Sequence, residues 1–220
     1  MCRFRPMVAL AVFVVGLVAT PTFAGVVVYT DQASFLAATA PGSYLETFDS
    51  LATGVGPASI GFSDLGFSYT AVASFDFSFP FTIPLGDPND VILGTNFSDA
   101  SITFSFTSGN VTAVGGYFFT TDFFGTPVAT DLLVSTDQTL AQTLSPTLGA
   151  LTFLGFTSDI PFISLTITST DPGNDIFLVA NDLIVGAAVP EPSTLALAGT
   201  GGVFGLVIGW RRYRRARPIK

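Results

Sequence analysis

The chain has 220 residues and a formal net charge of −8, and its charges are separated by position. All eight Lys and Arg residues lie outside residues 25–189, a segment that holds fifteen of the sixteen carboxylates (all but Glu191) and contains no His. Such an acidic segment is repelled by nucleic acid, whose binding depends on cations that neutralise phosphates. We therefore expect no nucleic-acid partner, and we exclude mechanisms that need a histidine base, a lysine Schiff base or an arginine clamp.

The amino terminus has the three parts of a secretory signal peptide. Arg3 and Arg5 form a positive region, residues 7–18 are apolar, and Thr22-Phe23-Ala24 makes a small-x-small cleavage site before Gly25. Residues 1–24 are therefore predicted to direct the chain to the Sec export machinery and to be removed. The only cysteine, Cys2, lies in this segment, so the mature chain should contain no disulfide and no cysteine metal site.

Residues 25–188 are predicted to form one all-β domain, an antiparallel β-sandwich of jelly-roll type. Apolar residues alternate with Ser, Thr, Asp or Pro at 74–81, 101–107 and 163–168, a period that gives a strand one buried and one wet face. Shorter β-rich runs, separated by Gly, Pro, Asn and Asp, lie at 26–29, 44–48, 66–72, 111–120, 128–135, 150–157 and 176–180. Only residues 31–39 indicate a helix, with Thr30 as a plausible N-cap.

One aromatic run has two interpretations. Four phenylalanines flank Asp122 in the sequence: Phe118, Phe119, Phe123 and Phe124. Consecutive aromatics must point to both faces of a strand. Exposed rings beside a carboxylate would suit a sugar, because a ring stacks on the apolar face of a pyranose while polar groups take its hydroxyls. Alternatively, Phe123 and Phe124 plug the end of the sandwich, since an apolar loop end is more often packed than displayed. The second interpretation is the one we favour from sequence.

The carboxyl-terminal residues 189–220 combine a short motif, an apolar span and a basic end. The motif is Val189, Pro190, Glu191, Pro192 and Ser193, in which the prolines hold the chain extended. Residues 193–210 carry no charge, and as a helix they would span about 27 Å, nearly the thickness of a bilayer core. The basic segment 211–220, with Arg211, Arg212, Arg214, Arg215 and Arg217, would hold the carboxyl terminus in the cytoplasm.

This order of motif, span and arginines resembles the sorting tail of the PEP-CTERM proteins of Gram-negative bacteria. The resemblance implies an inner-membrane-anchored precursor that an exosortase processes during export. The product would reside in the cell envelope or in an extracellular matrix associated with exopolysaccharide. A permanent single-span anchor is the alternative.

A weaker resemblance concerns the exported domain. Residues 153–186 are similar to the end of galactose-binding-like domains found among PEP-CTERM proteins. That resemblance implies a possible structural Ca²⁺ held by Glu46 and Asp182, which would lie on neighbouring first and last core strands. Asn181 stands where many relatives carry a second Asp.

Two functions follow from these patterns. The domain is either a non-catalytic carbohydrate-binding module or a passive matrix protein. In the second case its acidic, Ser- and Thr-rich surface only hydrates and spaces the matrix. The side chains of the domain allow one kind of enzyme, a glycosidase that uses two carboxylates. We predict instead that the domain is not an enzyme.

Overall fold

The computed structural model describes residues 25–74, 80–85, 87–139, 141–146, 151–171 and 175–189, and only the backbone of those at 80–89. One short helix, α1 (Gln32–Ala37), accompanies the strands in this part of the chain. The strands are β1 (Val27–Tyr29), β2 (Tyr44–Glu46), β3 (Gly54–Val55), β4 (Ile60–Asp64), β5 (Phe67–Ser74), β6 (Pro80–Leu85), β7 (Asp87–Thr95), β8 (Ser101–Phe106), β9 (Ala113–Thr121), β10 (Pro127–Val128), β11 (Leu132–Thr136), β12 (Gln142–Leu144), β13 (Thr152–Thr157), β14 (Ser164–Ser169) and β15 (Phe177–Gly186).

The described strands form two antiparallel sheets. The nine-stranded sheet has the order β1-β13-β9-β15-β7-β6-β3, with β2 paired to β15 and β10 paired to β9. The six-stranded sheet has the order β12-β11-β14-β8-β5-β4. The prediction of an all-β, antiparallel architecture is confirmed at this level.

The main core lies between the sheets. Along β5 and β8 the burial alternates residue by residue, which places Tyr69 and Phe104 inward and the intervening Ser and Thr residues outward. From the other sheet, Phe118 of β9 and Phe156 of β13 join the same cluster. Each fully buried aromatic or aliphatic side chain of this kind stabilises the fold by about 1.5–3 kcal/mol, and this core contains no charged residue.

The nine-stranded sheet is also covered on part of its outer face, the face that points away from the six-stranded sheet. Helix α1 lays Phe35 on Gly155 of β13, where an added Cβ would stand 2.6 Å from the phenylalanine ring. Phe35, Ala113, Phe153 and Ile184 form a second buried cluster there. A glycine at 155 is therefore required for the helix to pack this closely.

A β-bulge interrupts the last strand. Asn181 pairs with Tyr117 but Ile184 pairs with Gly115, so β15 contains one more residue than β9 over this interval. The extra residue, Asp182, has a φ of 48°, a left-handed conformation that Asp and Asn tolerate better than most residues. The bulge lets β15 continue to Gly186 with its apolar residues still facing the core.

Several predicted boundaries are wrong. The helix is capped by Asp31, whose carboxylate accepts the Ser34 N–H, and not by Thr30. The run predicted at 128–135 is two strands, β10 and β11, that belong to different sheets. The run predicted at 176–180 extends to Gly186, because β15 continues to pair with β9 on both sides of the bulge.

The predicted signal peptide, the motif beyond Val189 and the predicted span at 193–210 lie outside the described residues. Within the described ranges, no helix has the length and apolar character needed to cross a membrane.

Candidate functional site

The loop that joins β9 to β10 is organised by Asp122. Its carboxylate oxygen Oδ1 accepts the backbone N–H groups of Phe124 and Thr126, each at 2.9 Å. The backbone closes the same loop, since Asp122 N–H donates to the Thr126 carbonyl and Gly125 N–H donates to the Asp122 carbonyl. Gly125 has a φ of 80°, which glycine adopts without strain. Asp122 therefore fixes the shape of the loop through Oδ1.

The four phenylalanines of this region divide into two pairs. Phe118 and Phe119 are 0% and 1% exposed, because β9 is an interior strand covered on both faces, so they are not the exposed rings that the carbohydrate interpretation requires. Phe123 and Phe124 are 77% and 88% exposed, so the favoured interpretation that they plug the sandwich was wrong. The physical reason is that their loop satisfies its own hydrogen bonds and does not fold back onto the core.

The two exposed rings have defined positions. Phe123 and Phe124 meet edge to face, with ring centroids 5.7 Å apart and planes at 86°. Phe123 also contacts Phe177, the first residue of β15, at a centroid distance of 6.2 Å. Phe123 is thus held between two other rings while most of its surface remains open to solvent.

A groove of about 310 Å³ lies beside these rings. We call it the outer-face groove; among its lining residues are Gly94, Asn96, Thr121, Asp122, Phe123 and Phe177. Strands β9, β15 and β7 are neighbours in the sheet. Phe177 pairs with Thr121, and Val179, which lies in the floor of the groove, pairs with Gly94. The groove therefore lies across the ends of three neighbouring strands, and Gly94 leaves room in it because it has no side chain.

Thr121 supplies a buried polar group in this groove. The residue is 0% exposed, and its hydroxyl Oγ1 has no hydrogen-bond partner among the described residues. A buried hydroxyl without a partner costs about 1–3 kcal/mol, so such groups are uncommon. The neighbouring Thr120 points to the opposite face and donates its hydroxyl to the Val128 carbonyl at 3.0 Å.

The predicted calcium ligands Glu46 and Asp182 lie on paired strands, since Leu183 of β15 stands opposite Glu46 of β2. The side chain of Glu46 has other partners, however. Its Oε1 accepts the Phe48 N–H at 2.8 Å and its Oε2 accepts the Tyr44 hydroxyl. Burial and this hydrogen bond raise the pKa of Tyr44 above its usual value. Glu46 thus stabilises the corner after β2, where Phe48 has a φ of 64°.

Asp182 has a different set of acidic neighbours. Burial raises the pKa of its carboxyl, and the negative charges of Asp90 and Asp49 raise it further. These neighbours are tied to the backbone and to Asn181: Asp49 Oδ1 accepts the Val91 N–H at 2.9 Å, and Asp90 Oδ1 accepts the Asn181 amide at 3.5 Å. The structure therefore surrounds Asp182 with like charges, and places no cationic side chain in the domain to offset them.

The donor types at Asp49, Asp90 and Asp182 are those that Ca²⁺ accepts, but their arrangement does not form a metal centre. Within the described ranges, no group of three or more His, Cys, Asp or Glu side chains is placed to hold a metal ion. Calcium binding through Glu46 and Asp182 stays a prediction.

Sequence reasoning missed Thr121, Asn96 and Phe177 as parts of a site. Thr121 and Phe177 are far apart in the chain, and only the register of β9 with β15 brings them together. Phe177 is the first residue of a strand whose sequence is typical of the core, so nothing in that sequence pattern indicates a function.

Comparison with known proteins concerns the carboxyl terminus. The family model for the PEP-CTERM protein-sorting motif matches residues 188–215. No curated protein matches the chain. The motif match supports a protein that exosortase sorts to the exterior.

The environment of Asp182 predicts a pH-dependent stability. Because its folded-state pKa lies above the ordinary 3.8, its contribution to stability is present below pH 3.8 and is lost as the pH rises through the folded-state pKa. Asp182→Asn keeps the shape of the side chain, and Asn tolerates the positive φ at this position. In the presence of a chelator this variant should raise Tm at neutral pH, and the gain should vanish as the pH falls toward 3.8. Circular dichroism melts of the full chain measure this.

Asp31→Asn is the control, because the Ser34 N–H lowers the pKa of that exposed carboxyl, and it should give no such gain. No gain from Asp182→Asn in chelator would contradict the account of its environment. In excess Ca²⁺ the same melts test the metal: a rise in the wild-type Tm that Asp182→Asn abolishes would establish a site at Asp182.

Proposed function

We propose that residues 25–188 form a non-catalytic carbohydrate-binding module, of jelly-roll type, that its sorting tail delivers to the cell surface or extracellular matrix. The observation that carries the proposal is the pair of exposed rings, Phe123 and Phe124, beside a mainly apolar groove that also contains a few polar groups. Large aromatic rings at a defined position on the surface give apolar contact at low entropic cost, and few proteins expose them without a partner.

A binding role is favoured over a hydrolytic one by the residues around the groove. Glycosidases place two carboxyl groups across the scissile bond, about 5–9.5 Å apart. Among the described residues that line the outer-face groove, Asp122 is the one carboxylate, and its Oδ1 already holds the loop.

The proposed delivery route is export through Sec, anchoring of the precursor in the inner membrane by residues 193–210, and processing by an exosortase. The match at 188–215 supports the exosortase step. Val189, the first residue of the motif, donates its N–H to the Ala38 carbonyl at 2.9 Å, so the described domain holds the first residue of the tail.

Binding of the full chain to a polysaccharide panel tests the module. The protein is kept in a polyoxyethylene detergent, which has no sugar headgroup to compete. Phe123→Ala should weaken binding to the recognised glycan about tenfold, because an aromatic anchor contributes on the order of 1–2 kcal/mol.

Ile163→Ala is the matched control, since Ile163 is an equally exposed apolar residue, 69% exposed, that does not line the groove. It should bind as the wild type does. Failure of the folded wild-type protein to bind any glycan would overturn the module and favour a passive matrix protein.

Processing of the sorting tail predicts the mass of the exported protein. In a host that makes an exosortase, the exported protein should lack residues 211–220 by intact mass spectrometry. A Glu191→Ala variant should retain them and stay in the membrane fraction. A wild-type surface protein that still carries the arginines would identify a simple membrane anchor.

A further inference from the structure

The charge of the domain restricts which saccharides the outer-face groove can hold. Residues 25–189 contain no Lys, Arg or His, so no cation is available to pair with a uronate, sulfate or phosphate group. Asp122 lies in the groove wall and adds repulsion toward an anion. An anionic ligand is therefore disfavoured in this groove, whereas a neutral saccharide meets no such repulsion.

The size of the groove restricts the ligand further. Its volume of about 310 Å³ is at the low end for sites that bind small molecules, which range over about 300–1,000 Å³. Phe123 and Phe177 form an apolar side, while Thr121, Asp122 and Asn96 contribute polar groups. Such a site suits a single sugar ring presented at a chain end or branch.

Three buried hydroxyls have no hydrogen-bond partner among the described residues, those of Tyr69, Ser108 and Thr121, and of these Thr121 lines the groove. The Thr121 hydroxyl is buried in a residue that lines the groove. A hydroxyl can donate and accept at once, which matches the hydroxyls of a neutral sugar. A sugar hydroxyl at this position would supply the missing partner.

Resting on the carbohydrate-binding role proposed above, we propose that the outer-face groove binds the terminal unit of a neutral glycan. Phe123 packs on the ring of that sugar, and the Thr121 hydroxyl forms a hydrogen bond with one of its hydroxyls.

The test compares two adjacent threonines. Thr121→Val keeps the side-chain volume and removes the unpaired hydroxyl, so it should leave the Tm of the free protein unchanged or higher while weakening neutral-glycan binding about five- to tenfold. Thr120→Val removes a hydroxyl that is bonded to Val128 on the other face, so it should lower the Tm and leave the dissociation constant unchanged.

The probes are neutral oligosaccharides of glucose, galactose and mannose, with uronic-acid oligosaccharides of the same length for comparison. Calorimetric titration of the full chain gives each dissociation constant. Preference for neutral probes, with the expected pattern for the two threonine variants, supports the inference.

Two results would overturn the inference and leave the binding module standing. One is wild-type affinity in Thr121→Val while Phe123→Ala still loses binding, and the other is tighter binding of the uronic-acid probes. Absence of binding to every probe by the folded protein would overturn the module and this inference together.

Discussion

The constraint on which this structure depends is the absence of any cationic side chain between residues 25 and 189. No carboxylate of the domain can be neutralised by an ion pair, and several are held instead by hydrogen-bond donors: Glu46 by Tyr44 and Phe48, Asp49 by Val91, and Asp122 by its own loop. Asp182 shows the cost of this arrangement, because burial first and then the like charges of its neighbours raise its pKa. Stability must come from the aromatic core between the sheets, which needs no charge.

The same constraint connects the fold to function. The outer face of the nine-stranded sheet is covered by α1 at one end, where Phe35 rests on Gly155, and it carries the outer-face groove at the other, where β7 and β9 end and β15 begins. Among the described residues, the lining of this groove has aromatic rings and a hydroxyl-bearing pair of threonines, with one carboxylate and no cation. An acidic module of this kind would remain soluble in an anionic, polysaccharide-rich matrix and would select neutral chains within it.

The sequence was informative where local patterning decides the structure. Alternation at 101–107 and 163–168 predicted β8 and β14, and the antiparallel all-β class followed from it. It failed at positions set by tertiary pairing. Phe118 and Phe123 look alike in the sequence, yet the first lies in an interior strand and the second on a loop that Asp122 holds away from the core. The bulge at Asp182 and the pairing of Phe177 with Thr121 depend on strand register, which one sequence does not encode locally.

The most direct test of the account is an NMR titration of the isotopically labelled protein with the neutral oligosaccharide that binds it most tightly. The account predicts that the largest amide shifts fall at Thr121, Phe123, Phe124 and Phe177, with intermolecular contacts between the Phe123 ring and the sugar. Shifts confined to the six-stranded sheet, or centred on Asp182 and its acidic neighbours, would contradict it and place the binding surface elsewhere.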